Sequence, residues 1–231
     1  MHSAKGCIEE VYLDERRAAR LSCPAALLPA PGQYLLAAAL GDQETALAQP
    51  VFSAGVCLGG FHAAPPLPAH WQPGTQLDLR GPLGKGFSLP AGARAVVLAA
   101  FGSCARLLAL LEPALAQKAS VVLLADRPPA GLPAALEILP LAALPETAPW
   151  ADYLALDLPR ANLPELIDLL NLYPREKYAQ AKAFQPGGLT QALLETPMPC
   201  GGLADCGACA VTLRPGSGYK LACQDGPVFD L

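Results

Sequence analysis

Histidine is scarce in this 231-residue sequence, and its scarcity limits the chemistry that the chain can perform. The three histidines are His2, His62 and His70, so none lies in the C-terminal two thirds of the chain. No serine, histidine and aspartate set stands out, and no pair of carboxylates does either. We therefore expect surface or loop positions for the histidines and predict no histidine-based catalytic site.

Long apolar runs and clusters of positive charge are also missing. No uncharged apolar run reaches about 18 residues, so we predict no membrane span. The first six residues are not followed by the apolar core of a signal peptide. The net charge is −4 and no basic patch is present, which argues against nucleic acid binding. Since 52% of the residues are hydrophobic, a sizeable core is available, and we expect a soluble, cytoplasmic protein.

Cysteine, in contrast, is concentrated near the end of the chain. Four of the eight cysteines follow the spacing C-x5-C-x2-C-x13-C, namely Cys200, Cys206, Cys209 and Cys223. Plant-type ferredoxins hold a [2Fe–2S] cluster with a similar spacing, C-x4-C-x2-C and a distant fourth cysteine. The intervening residues are mostly glycine and alanine, which let backbone N–H groups approach the sulfurs of a cluster. The pattern therefore predicts these four thiolates as cluster ligands.

Three other uses of the cysteines remain open at this point. Structural zinc usually takes two C-x2-C pairs, or one such pair and histidines, whereas this tail has one C-x2-C and no histidine. A dithiol redox pair at Cys206 and Cys209 would leave Cys200 and Cys223 without a role. Disulfides are typical of secreted proteins, and nothing else marks this chain as secreted.

Residues 1–90 have the pattern of an all-β domain. Short apolar runs alternate with turn signals such as Pro31-Gly32 and Pro73-Gly74, which predicts a barrel or a sandwich. The expected strands are Cys7–Leu13, Ala18–Cys23, Tyr34–Ala39, Pro50–Leu58 and Leu77–Leu79. The stretch from Arg80 to Phe87 contains three glycines and a proline, so we expect a shaped turn that could face a ligand.

Residues 91–185 have the alternating pattern of an α/β domain with a parallel sheet. Predicted strands cover Ala95–Ala100, Val121–Ala125 and Tyr153–Leu156. A helix is expected after Ser103, interrupted by Pro113, and a second one over Leu163–Leu172. The turn Ala99–Ala105 has a single glycine and a bulky Phe101, so it lacks the glycine pattern that binds a dinucleotide pyrophosphate. We therefore do not expect NAD to bind here.

Residues 186–231, which contain the four clustered cysteines, would form a small cluster domain.

The order of these parts, with three motifs, resembles a known family. The motifs are Pro31-Gly32-Gln33-Tyr34, Gly81-Pro82-Leu83-Gly84-Lys85-Gly86-Phe87, and the cysteine tail with its ending Ala222 to Phe229. Together they resemble the electron-transfer subunit of class 1B dihydroorotate dehydrogenase, within the ferredoxin–NADP⁺ reductase superfamily. The resemblance implies a flavin-reductase-type barrel for FAD and a [2Fe–2S] domain. It also implies a partner subunit, with electrons passing between the partner's FMN, the cluster, FAD and NAD.

The same resemblance assigns candidate flavin residues and shows where this chain departs from the family. The family's flavin motif has the form Arg-x-Tyr-Ser, and the matching run here is Pro50-Val51-Phe52-Ser53. Phe52 could pack on the flavin ring and Ser53 fits, while Pro50 replaces an arginine that pairs with flavin phosphate. The resemblance adds Gly81, Leu83 and Gly84 as cofactor-binding candidates. FAD is left open on these residues.

A second departure concerns the nicotinamide site. The family's glycine-rich turn is replaced at Ala99–Ala105, and its Cys-Gly-Pro motif is replaced at Leu156–Pro159. We therefore predict an accessory electron-transfer subunit, docked in a hetero-oligomer on a catalytic flavoprotein of dihydroorotate dehydrogenase type or on another oxidoreductase. The alternative is a scaffold or regulatory subunit whose four cysteines hold structural zinc.

Overall fold

The computed structural model describes residues 2–12, 18–41, 47–170, 188–214, 216 and 218–231. These residues form a closed six-stranded barrel, a six-stranded sheet and a two-stranded ribbon. The predicted end of the first strand at Leu13 and the predicted helix end at Leu172 lie outside the described residues. Within these ranges, no helix is long and apolar enough to cross a membrane.

The barrel is built by the first six strands, which pair antiparallel in the order β1-β2-β5-β4-β3-β6. Their bounds are β1 His2–Tyr12, β2 Ala18–Ser22, β3 Tyr34–Ala39, β4 Gln49–Cys57, β5 Gly60–Ala63 and β6 Gln76–Leu83. Inward side chains such as Ile8, Phe61 and Trp71 are almost fully buried and fill the interior. Alternating apolar residues on these strands supply the side chains that fill the barrel interior.

The predicted shaped turn at Arg80–Phe87 begins later than expected, because β6 continues through Gly81 and Pro82 to Leu83. The pairing of β6 with β3 shifts its register between Tyr34 and Leu36, opposite this stretch. Such an irregularity accommodates a glycine and a proline that a regular ladder would not accept. The turn itself covers only the residues after Leu83.

The second sheet has the strand order β14-β11-β10-β7-β8-β9. Its strands are β7 Ala95–Ala100, β8 Ser120–Leu124, β9 Glu137–Leu139, β10 Tyr153–Pro159, β11 Leu189–Glu195 and β14 Val228–Asp230. All pairs are parallel except β11 with β14, which is antiparallel. Every residue of β7 is buried, as expected for a central strand that is covered on both faces. The ribbon consists of β12 Ala210–Val211 and β13 Lys220–Leu221.

The helices of the described residues are short. They are α1 Ala105–Leu108, α2 Leu111–Ala116, α3 Leu144–Thr147, α4 Leu163–Leu169 and α5 Ala222–Asp225, and the described residues also form four 3₁₀ turns. The helix predicted after Ser103 is divided into α1 and α2, and Pro113 lies in the first turn of α2, where a missing N–H is tolerated. Cys104 is the N-cap residue of α1. The hydroxyl oxygen of Ser103, the residue before it, accepts a hydrogen bond from the Ala105 N–H at 3.3 Å.

The cysteine tail is an excursion from the parallel sheet. It leaves after β11 and returns as β14, and these two strands pair with each other, Ala192 opposite Phe229. The sheet therefore extends into residues 186–231, which contain the four clustered cysteines. The three-part division at residues 90 and 185 stays a prediction.

Candidate iron–sulfur site

The four cysteines of the tail come together from three local structures. Cys200 lies in the turn that follows β11, Cys206 and Cys209 lie in the loop before β12, and Cys223 lies in α5. The Ala222 N–H donates to the Cys209 carbonyl at 3.1 Å, which draws the fourth cysteine toward the third. A spacing of 13 residues between these two cysteines is therefore bridged by the β12–β13 ribbon.

The sulfur atoms are arranged as two close pairs. Cys206 Sγ lies 3.6 Å from Cys200 Sγ, and Cys209 Sγ lies 3.2 Å from Cys223 Sγ. Two thiolates on one tetrahedral metal ion with bonds of about 2.3 Å stand about 3.7 Å apart. No set of three or more such ligands converges on one point among the described residues. The four thiolates would hold a centre with two irons.

Two glycines of the loop are required by its backbone. Gly201 has φ +53° and would direct a Cβ into the Leu36 side chain of the barrel. Gly207, between the second and third cysteines, has φ +69°. Positive φ is readily adopted by glycine only, so these positions explain part of the small-residue content seen in the sequence. Gly201 also brings the loop into contact with Leu36 of β3.

The surroundings of the cysteines differ in charge and burial. Backbone hydrogen bonds from Ala204 and Gly202 lower the pKa of the Cys200 thiol to about 7. Burial, and then the neighbouring Cys209, raises the pKa of Cys223 to about 12. Cys209 and Cys223 are buried, whereas Cys206 is exposed and Cys200 half-buried. The site therefore has a protected side and a side that faces solvent.

Two residues outside the tail hold it in place. Tyr34, in β3, donates its hydroxyl to the Cys223 carbonyl at 3.4 Å. Arg160, just after β10, donates from Nη1 to the carbonyls of Ala208 and Ala210 at 2.9 and 3.2 Å. Sequence reasoning gave Arg160 no role, because an arginine after a strand carries no signal of a partner that is 48 residues away.

The exposed side of the cysteine site opens on a groove. Leu203, between the first two cysteines, is 68% exposed. A cavity of about 720 Å³ adjoins it, lined by Leu36, Leu47, Leu79, Arg80, Pro199 and Cys200, among others. An apolar surface of this kind beside an exposed ligand is typical of an interaction site.

The predicted flavin residues lie on the barrel, near the sheet. Phe52 and Ser53 are in β4 and both are buried. Ser53 Oγ accepts from the Gly55 N–H at 3.1 Å. Gly81 and Leu83 are in β6, and Gly84 lies in the turn that follows, packed against Pro227 and the Gly226 carbonyl. The structure thus joins this glycine segment to the end of the cysteine tail, and its part in cofactor binding stays a prediction.

Residues 195–231 match the family described as the iron-sulfur cluster binding domain of dihydroorotate dehydrogenase B. The matched range includes all four cysteines of the two sulfur pairs. The cysteine tail is similar to that cluster-binding domain. The predicted zinc alternative is therefore not favoured. No curated protein sequence matches the chain.

The fold around this cluster domain is shared with solved electron-transfer reductases. An NADH-dependent reduced ferredoxin-NADP oxidoreductase, described in work on flavin-based electron bifurcation, superposes with a TM-score of 0.70 at 18% identity, over 98% of this chain and 88% of that one. A Neisseria gonorrhoeae ferredoxin NADP⁺ reductase with bound FAD and NADP gives 0.56 at 13% identity, over 84% and 98%. The ferredoxin reductase in carbazole 1,9a-dioxygenase gives 0.58 at 17%, over 76% and 67%. At these identities the likeness establishes the fold.

The cluster domain and the reductase fold support the predicted assignment to electron-transfer subunits of dihydroorotate dehydrogenase B type. The predicted barrel, parallel sheet and cysteine-rich tail are confirmed. The four thiolates suit a [2Fe–2S] cluster, which supplies a centre that takes up and gives back single electrons. The Neisseria gonorrhoeae reductase of this fold is described with bound FAD.

Proposed function

We propose that this chain is an accessory subunit that relays electrons through a [2Fe–2S] cluster to or from a catalytic flavoprotein. The observation that carries this proposal is the pairing of Cys200 with Cys206 and of Cys209 with Cys223 at a site with one exposed side. A structural zinc site is usually closed, with four ligands around one ion. An electron carrier needs a cluster edge near the surface, because its partner must come within tunnelling distance.

The catalytic partner that we propose is a flavoprotein of dihydroorotate dehydrogenase type, which would place the chain in pyrimidine biosynthesis. The match of the cluster domain supports this partner. In the proposed hetero-oligomer, the partner covers Leu203 and the adjoining groove. The groove is mainly apolar, and Cys206 beside Leu203 is exposed. The cytoplasm is the compartment that we propose, since all eight cysteines are free and reducing conditions keep thiolates available as ligands.

The deciding experiment compares metal content with redox absorbance in anaerobically purified protein. Two irons and two acid-labile sulfides per chain are expected, with visible absorbance that bleaches on reduction. Colourless protein with stoichiometric zinc would contradict the proposal and favour the scaffold function. Adding dihydroorotate and the partner flavoprotein should then bleach the cluster, and dihydroorotate without the partner should leave it oxidised.

A further inference from the structure

A buried ion-pair network lies between the barrel and the parallel sheet. Arg106, in α1, donates from Nε and Nη2 to the two carboxylate oxygens of Asp157, in β10, at 2.8 and 2.6 Å. Nη2 also donates to Glu195 Oε2, at the end of β11, at 3.1 Å. Arg106 is 9% exposed and Asp157 2% exposed. A bidentate arginine–carboxylate pair at such distances is strong and rigid.

The network lies at the two places where the sequence departs from nucleotide-binding reductases. Arg106 directly follows the turn Ala99–Ala105, and Asp157 belongs to the run Leu156–Pro159. The turn is closed onto the same strand, because the Phe101 N–H donates to the Asp157 carbonyl at 2.8 Å. The carboxyl ends of β7 and β10, where parallel sheets usually bind ligands, are therefore occupied by the protein's own side chains.

The network also covers Phe52, the residue on which a flavin ring could stack. The Arg106 guanidinium carbon lies 5.4 Å from the centre of the Phe52 ring, within the range of a cation–π contact. Tyr34 packs against the same ring, with the ring centres 5.6 Å apart. Phe52 is only 8% exposed as a result. A stacked ring system would have to displace one of these two neighbours.

The space that remains between Phe52 and Arg106 is too small for a flavin ring system. The cavity bounded by Pro50, Phe52, Arg106 and Glu195 has a volume of about 140 Å³. Pockets for small ligands and cofactors measure roughly 300–1,000 Å³. Two polar side chains there are engaged within the protein, since Ser53 Oγ accepts from the Gly55 N–H and Arg106 has two carboxylate partners. Thr196 Oγ1, which also lines the cavity, is buried and has no hydrogen-bond partner among the described residues.

We infer that the Arg106–Asp157–Glu195 network fills the flavin cleft of this reductase fold, so that the chain holds no flavin against Phe52 and exchanges electrons through its cysteine-bound cluster alone. Burial opposes the charge of Arg106, but the carboxylates of Asp157 and Glu195 raise its pKa above the usual value, so the guanidinium stays charged. Moving Arg106 aside would leave Asp157 buried without its partner, which is a costly state. The network therefore closes the cleft stably instead of gating it.

The first test measures flavin and iron in the same sample of the full-length protein. Denaturation is expected to release less than a tenth of an equivalent of flavin from protein that contains a full complement of iron. About one equivalent of released FAD would overturn the inference and leave the proposed cluster function untouched. Absent iron, in contrast, would count against the cluster and not against the closed cleft.

The second test uses lumiflavin, which carries the flavin ring system without ribityl or phosphate groups. This probe separates a filled cleft from the loss of a phosphate contact at Pro50. The double variant Arg106→Ala/Asp157→Ala opens the cleft without leaving a buried charge unpaired. It should quench lumiflavin fluorescence at concentrations at least tenfold lower than the unaltered protein does.

The matched control is Arg106→Met/Asp157→Leu, which removes the same charges and keeps most of the volume. It should fold, retain its iron and bind lumiflavin as poorly as the unaltered protein. Lumiflavin binding by the unaltered protein would overturn the inference. So would a folded, iron-loaded alanine variant that binds no lumiflavin, because the network would then not be what fills the cleft.

Discussion

At the scale of single residues, the clustered cysteines could be assigned from the sequence, whereas the residues that support them could not. The spacing of Cys200, Cys206, Cys209 and Cys223 is local information and predicts the ligand set directly. Tyr34 and Arg160 reach the same site from a barrel strand and from the end of β10. Their contacts depend on how distant elements pack, and no local pattern encodes that packing.

Replacement of one buried ligand should abolish the cluster. Cys209→Ser exchanges a soft thiolate for a hydroxyl that binds iron poorly, so the visible absorbance and the iron content should fall to a small fraction of their normal values. Cys57→Ser, at the end of β4, is the control and should keep both. Normal iron content in Cys209→Ser would show that this cysteine is not a ligand.

A second residue-scale prediction concerns stability and pH. Asp152 Oδ2 accepts from the N–H groups of Arg94 and Ala95 at 2.8 and 3.0 Å, and these bonds lower the pKa of its carboxyl below 3.8. A lowered pKa adds stability above the unfolded-state value, and this stability is lost as the pH falls through the folded-state value. Asp152→Asn should therefore unfold at lower denaturant concentration at pH 7.

The difference between Asp152→Asn and the unaltered protein should shrink below pH 3.8, the ordinary value of the carboxyl, and vanish once the carboxylate is protonated in both states. Urea unfolding at several pH values measures it. Glu165→Gln, on the exposed face of α4, removes one negative charge elsewhere and serves as control. A difference that stays constant down to acid pH would contradict the role of the charged carboxylate.

At the scale of elements, the central strands of the parallel sheet were predictable from the sequence, and the short strands and those beside the cysteine motif were not. The run Ala95–Ala100 forms β7 as predicted, because six apolar residues flanked by turns suit a fully buried strand. The strands β5, β9, β11, β12, β13 and β14 were missed. They are short or lie beside the cysteine motif, and β14 becomes a strand only because β11 pairs with it.

One element-scale prediction concerns the turn after β6. Gly84 has φ +74°, and a Cβ there would meet Pro227 Cδ at 2.6 Å and the Gly226 carbonyl oxygen at 2.7 Å. Gly84→Ala should cost about 1–2 kcal/mol for the left-handed backbone. Overpacking should add about 1–3 kcal/mol. Denaturant unfolding measures the total.

The matched control for this turn is Gly92→Ala. Gly92 has φ +82°, and nothing lies within 4 Å of a Cβ placed there. Gly92→Ala should therefore lower the free energy of unfolding only by the cost of the left-handed backbone, about 1–2 kcal/mol. Equal destabilisation by the two variants would show that the contact between the Gly84 turn and the tail contributes little.

At the scale of the whole molecule, the exposed side of the cluster domain should be a partner surface. Leu203→Glu places a charge beside Cys200 and Cys206, within the apolar groove. Its affinity for the catalytic flavoprotein should fall tenfold or more, with iron content unchanged. Leu58→Glu is the control, since Leu58 is 98% exposed in the β4–β5 hairpin of the barrel and does not line the groove.

Isothermal titration of each purified variant with the partner measures the effect. Unchanged affinity of Leu203→Glu would show that the partner binds another face of the molecule.

The groove itself could not be predicted from the sequence. It is formed by barrel residues such as Leu36 and tail residues such as Pro199, which are brought together only in the folded chain.

The pairing of β11 with β14 has a consequence for the folding of the cysteine tail. Both ends of the cysteine excursion are fixed by backbone hydrogen bonds of one sheet, including the Leu194 N–H with the Pro227 carbonyl at 3.0 Å. Classical zinc fingers, in contrast, are unfolded until metal arrives. Here the bonds that fix both ends of the excursion involve no cysteine, so the register of these two strands should not depend on bound iron.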